Sequence, residues 1–173
     1  FDVLVSVDNR EHEDVQRLWE DGANREYVYT PIDDYTTPNL DQLEAFHSTV
    51  SQKVSENKKI IIHCGAGQGR SGTYIASLKV REAFDRKLAN KGQNQAYFDK
   101  PPKPTETCQI KDNSVRTTPL VFEVVTKMRE SAKGLGQESQ RDSLIEEADQ
   151  MGILRSLEKS LWNMEKEKIT DIN

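Results

Sequence analysis

The chain has 173 residues, 35% of them hydrophobic and 31% charged, with a net charge of -5. That is enough for one domain-sized core, but too acidic for a general affinity for nucleic acid or anionic lipid, both of which need a basic surface. No apolar run reaches the roughly 18 residues of a membrane-spanning helix, and the opening Phe1 to Val7, interrupted by Asp2, is too short for a secretory signal.

Phe1 to Val7 is rich in valine and reads as a strand, followed by a short polar helix over Glu11 to Asp21 that Gly22 stops. Glu26 to Ile32 is aromatic and β-branched and reads as a second strand, with Pro31 marking an edge position or the strand's end. Asp33 to Pro38 is turn-forming. Asn39 can then cap a helix in which Leu40, Leu43, Phe46, Val50 and Val54 recur at helical spacing. Ile60 to Ile62 is a continuous apolar run, as expected of a strand buried on both faces. After a glycine-rich loop, Gly65 to Gly69, a helix runs from Ser71 with Tyr74, Ile75, Ala76, Leu78, Val80, Ala83 and Phe84 spread over more than one face, so it should be well covered. This order predicts an α/β fold, a mainly parallel central sheet with helices on both faces.

Asp85 to Val115 turns polar around Pro101-Pro102-Lys103-Pro104 and reads as a long surface loop beside the site. Thr117 or Thr118 caps a further helix with Pro119 in its first turn. Gly134 and Gly136 break that helix, and Glu138 to Lys168 follows as a charged helical tail. Its apolar stripe of Leu144, Ala148, Met151, Leu154, Leu157, Leu161 and Met164 either packs on the domain or docks a partner. The chain is therefore divided into residues 1–133, which hold the chemistry, and a helical C-terminal extension over 134–173.

The two cysteines, Cys64 and Cys108, form neither a disulfide framework nor a zinc spacing, which points to a reducing compartment. Cys64 lies in the segment that carries the chemistry, His63-Cys64-Gly65-Ala66-Gly67-Gln68-Gly69-Arg70-Ser71-Gly72. Between a strand end and a helix start, its glycines let the backbone curl and aim several N–H groups into one concavity at the positive end of the helix, an anion cradle. A cysteine at the bottom of that cradle sees N–H dipoles and the Arg70 guanidinium. Both favour thiolate, so its pKa should fall below that of a free thiol. Arg70 offers a planar fork that matches two phosphate oxygens. The glycines also match G-x-G-x-x-G, but a helix running into a polar loop is the wrong context for dinucleotide binding, and Arg70 stands where a nucleotide P-loop needs lysine.

The pattern His-Cys-x-x-Gly-x-x-Arg-Ser resembles the signature loop of the protein tyrosine phosphatase superfamily, and element order extends the likeness over Phe1 to Met128. The resemblance implies that Cys64 attacks phosphorus to give a phosphocysteine and that Arg70 holds the phosphoryl oxygens. It further implies that Gly65, Ala66, Gly67, Gln68 and Gly69 bind the phosphate, that Ser71 helps the thiolate leave, and that His63 supports the loop through hydrogen bonds. A general acid is expected on a loop about 30 residues before the cysteine. There Asp34, four residues before Pro38, matches the Asp-x-x-x-Pro form of dual-specificity members better than Asp33 does. The glutamine-rich segment of tyrosine-specific enzymes is missing, since Val115 to Pro119 stands in its place. That leans toward the dual-specificity branch and leaves the water-positioning group unassigned.

No metal and no other cofactor is implied. Expected substrates are phosphotyrosine and phosphothreonine proteins, then phosphoinositides or inositol polyphosphates if Lys87, Lys91, Lys100, Lys103 and Lys111 flank the site. An RNA 5′-triphosphatase, a catalytically silent phosphate-binding module and an interaction protein built on the tail helix are the alternatives. The expected location is the cytoplasm, or a reducing cytosol into which the protein is delivered. His12 and His47 read as surface residues, and Cys108 as incidental.

Overall fold

A computed structural model of the protein describes residues 1–10, 12–21, 24–65, 69–111, 113–132 and 144–172. The chain divides into two compact units, Phe1–Tyr74 and Ile75–Asn173. In the first, strands β1 (Val3–Ser6), β2 (Glu26–Tyr29) and β3 (Ile60–His63) alternate with helices α1 (His12–Glu20) and α2 (Leu40–Ser55), and α3 (Gly69–Ala89) begins after β3. The sheet has the order β2-β1-β3, and both pairings are parallel. Ser6 sits in register with Tyr29 on one side and His63 on the other, so all three strands end at the same edge. The chain leaves β1 for one neighbour and later returns to its other side. In an open parallel sheet, such a switch point opens a crevice at the carboxyl ends of the strands.

The sheet corrects one expectation. β1, not the Ile60–Ile62 run, is the fully buried strand, and β3 is half-buried along its length. Among the described strands β1 is central and β3 lies at an edge, so position in the sheet overrides hydrophobicity of the run.

Helix α2 starts with a capping box. Asn39 Oδ1 accepts from the Gln42 backbone N–H at 2.8 Å, and Gln42 Oε1 accepts from the Asn39 N–H at 2.9 Å. Its buried face is Leu43, Phe46 and His47, with the Phe46 ring 4.5 Å from that of Tyr74, while Leu40 and Val54 are exposed. His47 is thus a core residue and not the surface one its polarity suggested. His12 is partly buried, its ring stacked on Tyr29 with centroids 4.1 Å apart.

In the second unit the polar stretch is structured. It forms α4 (Gln95–Asp99), then an antiparallel hairpin of β4 (Glu106–Ile110) and β5 (Asn113–Thr117), ahead of α5 (Pro119–Ala132). Thr107 and Gln109 face out while Cys108 and Ile110 are buried, a period of two that the polar composition masked. Lys87 and Lys91 lie over the Tyr97 and Phe98 rings, and Lys91 pairs with Glu165 at 3.0 Å.

The tail helix, α6 (Ala148–Ile172), begins later than expected. Leu144–Glu147 are non-helical, with Ile145 at φ 59°, and Gly134, Gly136 and 138–143 lie outside the described residues. Met151, Leu154, Leu157 and Leu161 are buried, whereas Ala148 and Met164 are exposed. The helix is also held by polar contacts: Tyr97 donates to Glu158 at 2.7 Å, Thr118 donates to the same carboxylate, and Trp162 Nε1 donates to the Tyr97 carbonyl at 3.1 Å. Burial raises the Glu158 pKa against the pull of those two hydroxyls.

Candidate active site

The parallel register brings three loops to one edge of the sheet: Val7–Arg10 after β1, Thr30–Asp34 after β2, and the signature loop after β3. Cys64 is the first residue beyond β3 and is 8% exposed. Gly69 and Arg70 open α3, whose first turn Thr73 Oγ1 closes by donating to the Gly69 carbonyl at 2.9 Å. Ala66, Gly67 and Gln68 lie outside the described residues.

Arg70 is almost completely buried and is ringed by groups from the other two loops. Its Nη1 donates to Asn9 Oδ1 and to the Ile32 carbonyl, each at 3.2 Å, and pairs with Asp8 Oδ1 at 3.2 Å. Its Nη2 lies 3.5 Å from Asp34 Oδ1. A buried guanidinium needs such partners, because its desolvation is costly unless charge and hydrogen bonds offset it.

The geometry distinguishes the two candidate acids. Asp33 accepts from Asn9 Nδ2 at 2.9 Å, which fixes it beside β1. Asp34 is half-exposed and reaches Arg70, on a turn closed by Thr36, whose N–H and Oγ1 donate to the Asp33 carbonyl at 3.2 and 2.6 Å. Tyr35, the next residue, has φ 60° and is almost fully exposed.

Ser71 is buried, and its hydroxyl has no hydrogen-bond partner among the described residues. A buried unpaired hydroxyl costs free energy. His63 ends β3, and its Nε2 is likewise buried without a partner among the described residues.

Sequence reasoning missed Asp8, Asn9 and Arg10. No motif marks them, and they reach the site only because β1 lies beside β3. The Asp8 carboxylate joins two guanidiniums: Oδ1 faces Arg70 at 3.2 Å, and both oxygens accept from Arg10, Nε at 3.2 Å and Nη2 at 3.3 Å. Burial pushes the Asp8 carboxyl up, but the Arg10 hydrogen bonds and the Arg70 charge outweigh it, so its pKa is lowered. Ionised Asp8 therefore stabilises the fold above its unfolded pKa, and that contribution is lost as pH falls through the lower folded value. Asp8→Asn should cost about 1–3 kcal/mol of stability at neutral pH. The gap to the unsubstituted protein should close in acid, read by urea unfolding across pH.

Comparison with known proteins gives three results. Residues 2–83 match a family model described as "Polymorphic toxin system, DSP-PTPase phosphatase". Two uncharacterized proteins of Methanocaldococcus jannaschii, MJ0215 and MJECL20, are 33% and 31% identical over 49 residues, which is 28% of this chain. The match spans about a third of their own length, 31% and 33%. Two crystal structures of Tk-PTP, one of a mutant form and one of the active form, superpose with TM-scores of 0.56 and 0.53 at 23% and 22% identity, covering 93% and 91% of this chain and 79% and 78% of theirs. At that identity the superposition speaks for the fold.

Proposed function

We propose that residues 2–83, which match the DSP-PTPase phosphatase family model, form a cysteine-dependent phosphatase domain of the protein tyrosine phosphatase superfamily, in its dual-specificity-like branch, and that this domain works through a cysteinyl-phosphate intermediate. Cys64 Sγ attacks phosphorus, the S–P bond forms, the ester P–O bond breaks, and Asp34 delivers its proton to the departing oxygen. Water then attacks the phosphocysteine and gives a proton back to Asp34. The Cys64 thiolate leaves with help from the Ser71 hydroxyl, and inorganic phosphate departs. Arg70 holds two phosphoryl oxygens in both steps.

The observation that carries this reading is the pairing of Arg70 with Asp34 at 3.5 Å, next to the loop that Cys64 opens. Asp34 leans on the guanidinium. A bound phosphate would take over the Arg70 fork and leave Asp34 facing the leaving group. The substrates proposed are phosphotyrosine and phosphothreonine proteins. An inositol phosphate reading gains less support, because Lys87 and Lys91 are engaged with aromatic rings. Residues 1–133 are taken as the catalytic part and 134–173 as an extension.

None of the helices is long and apolar enough to cross a membrane among the described residues. The toxin-system description of the matching family is compatible with delivery into another cell. A reducing cytosol there would keep the Cys64 thiol out of disulfides.

The direct test is hydrolysis of p-nitrophenyl phosphate with and without a chelator. Chelator-resistant turnover is expected. No turnover, with inorganic phosphate still bound, would make the protein a silent phosphate-binding module.

A further inference from the structure

The side-chain amide of Asn9 stands between Arg70 and the segment that carries the proposed acid. Its Oδ1 accepts from Arg70 Nη1 at 3.2 Å, and its Nδ2 donates to Asp33 Oδ1 at 2.9 Å. The two neighbours fix which way the amide points. A guanidinium donates and a carboxylate accepts, so the carbonyl end must face Arg70 and the NH2 end Asp33. Aspartate at position 9 would set like charge against Asp33, and alanine would serve neither side.

Several other ties converge on this short segment. Arg70 Nη1 also donates to the Ile32 carbonyl at 3.2 Å, and the Ile32 N–H donates to the Val7 carbonyl at 3.3 Å. Asp33 is held at its carbonyl by Thr36 and at its side chain by Asn9. Asp34 Oδ1 accepts from the Tyr35 N–H at 3.2 Å and lies 3.5 Å from Arg70 Nη2, a longer contact made by a half-exposed side chain. Tyr35 follows at φ 60°, a left-handed backbone that costs a bulky residue free energy and persists where its surroundings hold it. Arg70 Nη1 has two N–H bonds and already faces Asp8, Asn9 and Ile32. A phosphate therefore takes the Nε and Nη2 side, where it displaces Asp34, while the Asn9 bridge on Nη1 stays.

We propose that Asn9 is the positioning residue of the general acid: with phosphate in place, its amide ties Asp33 to Arg70 and so keeps Asp34 in line with the departing oxygen. The proposal rests on the reading of Arg70 as clamp and Asp34 as acid. Asn9 moves no proton itself; it acts through Asp33 on the residue beside it.

The test compares phenyl phosphate with p-nitrophenyl phosphate, which differ by one nitro group and hence in how far the departing oxygen needs a proton. In the full chain, Asn9→Ala should lower kcat/KM for phenyl phosphate by on the order of tenfold, the size of one hydrogen bond to a charged group. For p-nitrophenyl phosphate the loss should be about twofold or less, because that ester depends little on the acid. Asp33→Ala, which cuts the same bridge at its exposed end, should reproduce the pattern, and the double variant should be no worse than either alone. Adding Asn9→Ala to Asp34→Ala should cost nothing further on phenyl phosphate. Equal losses on the two esters, or full additivity of Asn9→Ala with Asp33→Ala or with Asp34→Ala, would overturn the proposal, for Asn9 would then serve the clamp or the fold at large. If Asn9→Ala does not fold, Asp33→Ala carries the same comparison, and equal losses there overturn the proposal as well. A silent Asp34→Ala would fail the acid assignment and this proposal with it. A large loss in Asp34→Ala beside equal losses in Asn9→Ala would fail the proposal alone.

Discussion

Cys64→Ser should end turnover while leaving inorganic phosphate binding nearly intact. Serine keeps the shape of the side chain but replaces a thiolate by a neutral hydroxyl, a far weaker nucleophile. The expected loss in kcat is on the order of the 10⁶ seen when a nucleophile is removed elsewhere. The binding groups survive the change: Arg70 keeps its Asp8, Asn9 and Ile32 partners, and the loop still follows β3. Initial rates on p-nitrophenyl phosphate and calorimetric titration with phosphate measure the two halves separately. Loss of binding along with activity would mean that Cys64 is structural.

Asp34→Ala should cost about 10²–10⁴-fold in kcat, the range for removing a general acid. The size should depend on the leaving group. A peptide phosphothreonine leaves as a poor alkoxide and needs the proton, whereas p-nitrophenol leaves readily without it, so the deficit should shrink on the aryl ester. Asp33→Ala should do less, because among the described residues Asp33 reaches Arg70 through Asn9. A large loss in Asp33→Ala beside a silent Asp34→Ala would reverse the assignment.

What could be read from the sequence was what local chemistry encodes. The Asn39 cap, the helical period through Leu43 and Phe46, and the strand-loop-helix passage across Cys64 and Arg70 are contained in short stretches, and the structure has each of them. What could not be read depends on which strand lies beside which. The burial of β1 over β3 follows from the order β2-β1-β3, and the Asp8–Arg70 contact joins residues far apart in sequence through that same order. The hairpin over Glu106–Thr117 was hidden for a different reason. Its outward residues are polar and its inward ones few, so the alternation stands on Cys108 and Ile110 alone in β4. His47 shows the converse error, a polar side chain on the inner face of α2 that composition assigns to solvent. Arg10 was legible in neither way, since nothing near it in sequence hints that Gly65 makes room for its guanidinium.

The central claim is that phosphorus passes through the Cys64 sulfur, and rapid denaturation during turnover followed by mass analysis of the peptides tests it most directly. The mechanism predicts one phosphoryl group on the peptide containing Cys64, lost when Cys64 is replaced and, with p-nitrophenyl phosphate, whose leaving group does not need the proton, accumulating when Asp34→Ala slows its hydrolysis. An active enzyme that never carries phosphate on that peptide, or carries it on another side chain, would contradict it.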